Sequence, residues 1–177
     1  MSHRRFFLVV LTVVITLTMS LVPPVAAVPP ERKDVLFAPI GEPVPLPPIC
    51  PFAAELVVLS SSQSETTFFD QEGNVVRVIT TGPLKARITN LVTGESLDLN
   101  FSGPGRVLYN EDTGQEIQQG PWLTLIAAGA FQDDLDLEGL FLTKGLVVSE
   151  FDPETGDFLR YTKITGKMVN LCEAFAS

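Results

Sequence analysis

Histidine and cysteine are scarce in this 177-residue sequence, which holds one histidine, His3, and two cysteines. A Ser–His–Asp triad, an imidazole general base and a histidine-ligated zinc ion all require histidine in the folded protein. Two thiols are too few for a zinc site made of cysteine alone. If His3 is not part of the mature chain, all of these chemistries are excluded.

The first 27 residues have the pattern of an export signal, and His3 lies within them. A basic start leads into a low-polarity run, Phe6–Val22, and the small residues Val25 and Ala27 precede a predicted cut after Ala27. An uncleaved membrane anchor is the alternative, but the run is shorter than the ~20 residues that span a bilayer. We therefore expect residues 1–27 to be a removed signal peptide. The mature protein would be secreted, either extracellular or associated with the cell envelope.

Basic residues are also few: 12 Lys and Arg stand against 21 Asp and Glu, a formal net charge of −9. Removing the signal takes away Arg4 and Arg5 and no acid, so the mature chain is more acidic still. Scattered cations on an acidic chain give no electrostatic footprint for nucleic acid and no polybasic segment for anionic membranes. We expect neither a nucleic-acid partner nor a membrane association after signal removal, and we interpret the acidity as favouring solubility.

The two cysteines, Cys50 and Cys172, lie near the two ends of the predicted domain. An even number of cysteines in an exported chain favours a disulfide, which here would join the beginning of the domain to its end. The alternative is a pair of free thiols, one of them a nucleophile. A thiol nucleophile would lack a histidine to activate it, so we predict the Cys50–Cys172 disulfide.

Residues 28–49 form a proline-rich arm, with seven prolines in "VPPERKDVLFAPIGEPVPLPP". Proline lacks the backbone donor and fixes φ, so the arm is expected to be extended or polyproline II. We interpret it as a linker in which Val35–Phe37 pack on the domain. A ligand strand for another domain is the alternative interpretation.

Residues 50–177 have the pattern of a single all-β domain, in which short apolar or alternating runs are separated by Gly, Pro, Asn and Asp. The candidate strands are Ala54–Ser60, Glu65–Phe69, Val75–Thr80, Leu84–Thr89, Ser96–Phe101, Arg106–Tyr109, Glu116–Gln119, Trp122–Ala127, Leu140–Thr143, Gly145–Phe151 and Phe158–Ile164. Only Met168–Phe175, around Cys172, favours a short C-terminal helical turn. Many strands joined by tight turns indicate an antiparallel meander that closes into a barrel, with a two-layer β-sandwich as the alternative.

Three turns share the pattern Asn/Asp-x-x-Thr-Gly-polar: Asn90–Glu95, Asn110–Gln115 and Asp152–Asp157. The first side chain bonds the turn backbone, and the glycine supplies a positive φ. For the first turn, one register pairs apolar residues on one face and sets Arg87 opposite Asp98 on the wet face. The apolar pairs are Ile88 with Leu97, Ala86 with Leu99 and Leu84 with Phe101, while Lys85 faces Asn100.

The densest acidic run is "DDLDLEG", which contains Asp133, Asp134, Asp136 and Glu138. From Asp134 it follows the early positions of a calcium loop, but position twelve, normally a bidentate Glu, is Gly145. The segment offers too few oxygens for calcium, so we predict a solvated loop and no metal site. Whether distant loops add ligands is left open.

Two glycine-containing motifs, "SGPGR" at Ser102–Arg106 and "GPW" at Gly120–Trp122, carry no diagnostic chemistry. The first lacks the spacing and the lysine of a phosphate-binding loop and is typical of a turn. Trp122, the only tryptophan, is interpreted as a core or rim residue. We therefore predict no catalytic residue and no cofactor, and no ligand-binding residue is assigned.

Several short segments carry a resemblance to other exported proteins. They are "CPF" at Cys50, "ITNLVTGES" at Ile88–Ser96, "NFSGPG" at Asn100–Gly105, "GPW" at Gly120–Trp122 and "LC" at Leu171–Cys172. In these segments the chain resembles uncharacterised small exported β proteins of actinobacterial type. The resemblance implies an exported single β domain and brings no known activity.

These observations favour a non-catalytic function, that of an exported β-barrel module. Such a module would bind a small apolar ligand inside it, or an extracellular protein or cell-wall partner at its rim. The alternatives are a barrel-type isomerase or cyclase that uses Asp, Glu, Arg or Tyr in its lumen, and a structural component of the envelope. An apolar cavity would favour a carrier, converging polar residues an enzyme, and a filled interior a surface interaction.

Overall fold

The chain is all-β over the residues that the structure, a computed structural model, describes: 27–110, 112–131 and 137–175. The strands, in chain order, are β1 (Glu31–Val35), β2 (Pro43–Pro45), β3 (Ala54–Ser61), β4 (Gln63–Phe69), β5 (Val75–Thr81), β6 (Leu84–Asn90), β7 (Ser96–Asn100), β8 (Gly105–Tyr109), β9 (Gly114–Ile126), β10 (Gly139–Phe151) and β11 (Phe158–Asn170). A helix of one turn, α1 (Leu171–Ala174), follows directly. The expected C-terminal helical turn around Cys172 is thus confirmed.

The described strands form two sheets, one of seven strands in the order β1-β4-β5-β8-β9-β10-β11 and one of four in the order β2-β3-β6-β7. Neighbouring strands within each sheet are antiparallel. The prediction of one meander closing into a barrel does not hold for these strands, whereas the two-layer alternative fits. The reason is that the chain changes sheets at Ser62, at Gly82–Pro83 and at residues 101–104, where short crossings have the composition of hairpin turns.

The hairpin β6–β7 has the predicted register, with Ala86 opposite Leu99 and Ile88 opposite Leu97. Ala86 and Ile88 are completely buried, at 0% exposure. On the outer face the Arg87 guanidinium donates to both oxygens of Asp98, at 2.6 and 2.9 Å. Alternation alone therefore determined which face of this hairpin is buried.

Two of the three predicted turns have the expected geometry. Asn90 Oδ1 accepts from the backbone N–H groups of Val92 and Thr93. Asp152 Oδ1 accepts in the same way from those of Glu154 and Thr155. Gly94 and Gly156 have φ of 78° and 77°. The third turn differs, because its glycine is already the first residue of β9.

A row of three glycines, Gly120, Gly145 and Gly166, crosses the three longest strands, β9, β10 and β11, at directly paired positions. Gly120 and Gly166 have φ of 97° and 99°. We expected two short strands separated at Gly120–Pro121 and two more separated at Lys144; that expectation is wrong, because β9 and β10 are each one continuous strand of 13 residues. Glycine permits a sharp bend without ending the ladder.

The main core lies between the four-stranded sheet, the C-terminal half of β9 and the N-terminal half of β10. Leu56 and Val58 of β3 and Leu140 of β10 are almost fully buried there, and Leu171 of α1 joins them. The Cys50–Cys172 disulfide, with Cα atoms 5.3 Å apart, closes this core and confirms the predicted bond. Both sulfur atoms therefore lie against the hydrophobic cluster rather than at a reactive surface.

The arm is part of both sheets and is not a free linker. Its β1 pairs with β4 at one edge of the larger sheet, and its β2 pairs with β3 at one edge of the smaller sheet. Residues 36–42 therefore cross from one layer to the other. We call this crossing the strap.

Candidate functional site

A cavity of about 410 Å³ lies between the two sheets. Its walls come from three places: the seven-stranded sheet, the four-stranded sheet, and the arm with its strap. Cavities of 300–1,000 Å³ that are mainly apolar and carry a few polar groups are typical small-molecule sites. This cavity is our candidate functional site.

The apolar walls come from the four-stranded sheet, the arm and the far half of β9. Leu56 and Leu84 project from the small sheet, and Phe101 stands just beyond its last strand. The other apolar residues around the cavity are Val35, Leu36, Phe37, Leu46, Val107, Trp122, Leu123 and Leu125. Leu36 and Phe37 of the strap are 63% and 65% exposed, so the cavity meets solvent at the strap.

The polar wall is a row of directly paired residues on four neighbouring strands. Glu65 of β4 pairs with Thr80 of β5, Thr80 with Gly105 of β8, and Gly105 with Gln118 of β9. Paired residues of an antiparallel ladder lie on one face of the sheet, so this row faces the cavity together. The missing side chain of Gly105 leaves space that the Trp122 indole ring occupies.

The strand β9 contributes to both kinds of wall because its alternation changes at Gly120. Glu116 and Gln118 line the cavity before the glycine, and Leu123 and Leu125 line it afterwards. An undisturbed strand would present only even-numbered or only odd-numbered positions to one side. The change falls at Gly120, whose φ is positive, and Trp122 also lines the cavity beyond it.

The two glycine-containing motifs come together at Trp122. A Cβ on Gly103 would stand 2.5 Å from the indole nitrogen, and one on Gly105 would stand 3.2 Å from the indole ring. The indole N–H donates to the Gln119 carbonyl over 3.3 Å. The segment predicted as a simple turn is therefore the seat of the only tryptophan, which also lines the cavity.

Hydrogen bonding on the polar wall leaves one buried acceptor atom unpaired. Gln118 Nε2 donates to Glu116 Oε1 over 2.9 Å, while Gln118 Oε1 is buried and has no partner among the described residues. Gln63, which is only 7% exposed, also lines the cavity. Buried polar groups are normally paired, so this wall is incomplete as it stands.

Glu65 marks the rim of the polar wall. Its carboxylate lies 3.2 Å from Lys33 Nζ of β1, and these side chains are 28% and 68% exposed respectively. An ion pair this exposed is screened by water and contributes little. Glu65 nevertheless has an ion-pair partner, whereas Glu116 has none in the part of the chain that the structure describes.

Tyr161 of β11 lies in the same cross-strand row as Glu116, on the far side of Ser149. Its hydroxyl donates to the Leu125 carbonyl over 2.7 Å. Burial, and secondarily the charge of Glu116, raise the pKa of Tyr161 to about 12. The phenol is thus a neutral donor used for structure, and it ties β11 to the strand that lines the cavity.

The acidic run lies largely outside the described residues, since Asp133, Asp134 and Asp136 fall in the gap at 132–136. Glu138 is described and exposed. Within the described ranges, no group of three or more His, Cys, Asp or Glu could hold a metal ion. Across the same ranges, every helix is too short or too polar to cross a bilayer. The predicted signal up to Ala26 likewise falls outside the description.

Sequence reasoning did not find the polar wall. Gln63 and Glu65 on β4, like Glu116 and Gln118 on β9, stand two residues apart and so share a face. That spacing was the available signal, but polar residues on one strand face usually indicate solvent. Trp122, interpreted as a core or rim residue, is half-buried at the cavity.

Comparison with known proteins leaves the cavity as the main guide to function. No family model matches the sequence, and no curated protein and no solved structure is significantly similar to it. The resemblance to small exported actinobacterial proteins stays a prediction. What the cavity binds has to be inferred from its own residues.

Proposed function

We propose that this protein binds a small, mainly apolar molecule in the cavity between its sheets and carries out no reaction on it. The observation that carries this proposal is the cavity itself, with leucine and phenylalanine side chains on most sides and a few polar atoms on one wall. Burial of hydrocarbon against such walls contributes roughly 25 cal/mol per Å² before the costs of binding are subtracted.

The architecture proposed for this role is a two-layer sandwich whose layers diverge around the ligand. Gly120 and its paired glycines bend the larger sheet, so that β9 and β10 pack against the small sheet at one end and leave it at the other. A flat sheet would bring both layers into contact along their whole length. The bend thus accounts for a cavity beside a well-packed core.

We also propose that the protein acts outside the cytoplasm, as the export pattern and the resemblance imply. The Cys50–Cys172 bond supports this, because disulfides persist in oxidising compartments. A carrier or a sensor of an external molecule fits that location. Binding of a wall or protein partner at the rim, or a structural role in the envelope, would leave the cavity without a function.

Enzymatic use of the cavity is the weaker alternative. Acid–base chemistry by a pair of carboxylates needs both groups within reach of the reacting atoms. Glu65 and Gln118 are three strands apart in their row, which is roughly 14 Å at about 4.8 Å per strand. Glu116 is bonded to Gln118 rather than to a second acid. The wall is therefore better suited to orienting a ligand than to transforming it.

Trp122 provides the test, because the only tryptophan lines the cavity and its emission will report what enters. We expect decanol to change the emission saturably, with one molecule bound per chain. Val107→Phe, which places a ring in the cavity, should abolish the change. Leu108→Phe, at the neighbouring position on the opposite face of β8, should leave it intact. Absence of a saturable change, or equal binding by Val107→Phe, would refute the proposal.

A further inference from the structure

The polar atoms that the cavity offers near Gln118 are hydrogen-bond acceptors. A carboxylate such as Glu116 only accepts, so the Gln118 side chain must turn its Nε2 toward it, as the 2.9 Å bond shows. This orientation leaves Gln118 Oε1 buried and unpaired. A buried acceptor without a partner is destabilising, and a donor on a ligand would pair with it.

Among the described residues, no Lys or Arg side chain reaches this part of the polar wall. Lys33 bonds Glu65 at the rim, three strands away from Gln118. Arg106 borders the cavity, but it pairs with Ile79 and Ile117, on the opposite face of the sheet from Gly105 and Gln118. The charge of Glu116 is therefore not balanced by any described side chain of the cavity.

On this basis we infer that the ligand is an amphipathic amine, with a hydrocarbon body against the leucine walls and a protonated amino group at Glu116 and Gln118. The inference rests on the proposed function and makes it specific. A protonated amine donates up to three hydrogen bonds and carries a positive charge that would balance the carboxylate of Glu116. A ligand with a carboxylate would meet acceptors and a like charge, which disfavours binding.

The test compares decylamine, decanol and decanoate, which share one hydrocarbon chain, by titration of Trp122 emission. We expect decylamine to bind at least about tenfold more tightly than decanol, as a charge-assisted bond implies, and decanoate to bind most weakly. Glu116→Gln removes the charge and keeps the shape. In that variant the preference for decylamine should fall to within about threefold of decanol.

The control is Glu72→Gln, which makes the same change of net charge at an exposed turn position and should leave the preference intact. Decanol binding as tightly as decylamine, or decanoate binding best, would overturn the inference while the proposed function stood. A preference for decylamine that survives Glu116→Gln would overturn the assignment of this residue. If none of the three compounds binds, the proposed function and the inference fall together.

Discussion

At the residue scale, the seat of Trp122 is built from residues that have no side chain. Gly103 leaves space for the indole nitrogen and Gly105 for the indole ring. A Cβ on Gly103 would also stand 2.0 Å from the Gln119 carbonyl oxygen, a backbone atom that has no rotamer to change. These glycines fix the position of a large aromatic group, and thereby fix one end of the cavity.

Tyr161 gives a prediction about pH. Its pKa is raised to about 12 by burial and by Glu116, against about 10 in an unfolded chain. Above pH ~10 the unfolded chain loses this proton and the folded chain keeps it, so the stability should fall as the pH rises from ~10 to ~12. Tyrosinate absorbance after a rapid pH jump, in a Tyr109→Phe background, measures the folded value.

The same titration in Glu116→Gln is the matched comparison. Loss of the Glu116 charge should lower the pKa of Tyr161, but only part of the way, because burial is the larger cause. A folded midpoint near 10 would contradict the described burial of the phenol.

At the element scale, the glycine row lets neighbouring strands of the larger sheet approach closely. A Cβ on Gly145 would stand 1.9 Å from the Thr165 carbonyl oxygen and 2.9 Å from the Gly166 Cα, both of them backbone atoms. The strands β10 and β11 approach each other here more closely than any residue with a side chain allows. The row is continuous from β11 through β10 to β9, and β9 also lines the cavity.

Gly145→Ala is therefore expected to destabilise the protein by about 3 kcal/mol or more, since overpacking against backbone allows little relaxation. Urea denaturation followed by circular dichroism measures the loss. Gly156→Ala is the control: it has φ of 77° but nothing within 4 Å of its Cβ position, so only the backbone penalty of about 1–2 kcal/mol applies. Equal losses in the two variants would show that contact at the row is unimportant.

At the scale of the whole molecule, the disulfide joins residues 122 positions apart. It connects the end of the arm to α1, and Cys172 Sγ also accepts from the Leu140 backbone N–H over 3.4 Å. The bond thus holds both the N-terminal strands and the C-terminal helix against one core.

Removing this bond should cost about 2–5 kcal/mol, because the unfolded chain regains the entropy of a long loop. The double variant Cys50→Ser, Cys172→Ser keeps an acceptor for Leu140 and isolates the effect of the cross-link. We expect its melting temperature to be lowered and to be insensitive to reductant, whereas that of the native protein should fall when reductant is added. A native protein unaffected by reductant would contradict this role.

The sequence was sufficient for features that depend on neighbours along the chain. The register of β6–β7 followed from alternation and from the turn at Asn90, because a shift by one residue would bury Arg87 and Asp98. The disulfide followed from cysteine count and predicted compartment. Both inferences use local patterns or elimination, and neither needs knowledge of which sheet a strand joins.

The layer arrangement and the cavity could not be obtained in this way. A crossing such as Gly82–Pro83 has the same composition as a hairpin turn, so the strands on each side were assigned to one meander. Glu116 and Gln118 alternate as a solvated face would, and only the pairing of β9 with β8 turns that face inward. The arm was interpreted as a linker because its many prolines are typical of extended linkers, whereas it contains two edge strands.

The pairing of β3 with β6 across the intervening β4–β5 hairpin has a consequence for how the chain reaches its native state. The β9–β11 hairpins join neighbours in sequence and lose little entropy on closing, so they are able to form early. The small sheet and the strap need contacts between distant segments and are completed later. The sulfur atoms meet only when Cys172, close to the end of the chain, has docked beside Cys50. Among newly synthesised chains, the fraction that carries the Cys50–Cys172 disulfide therefore reports the fraction that has finished folding.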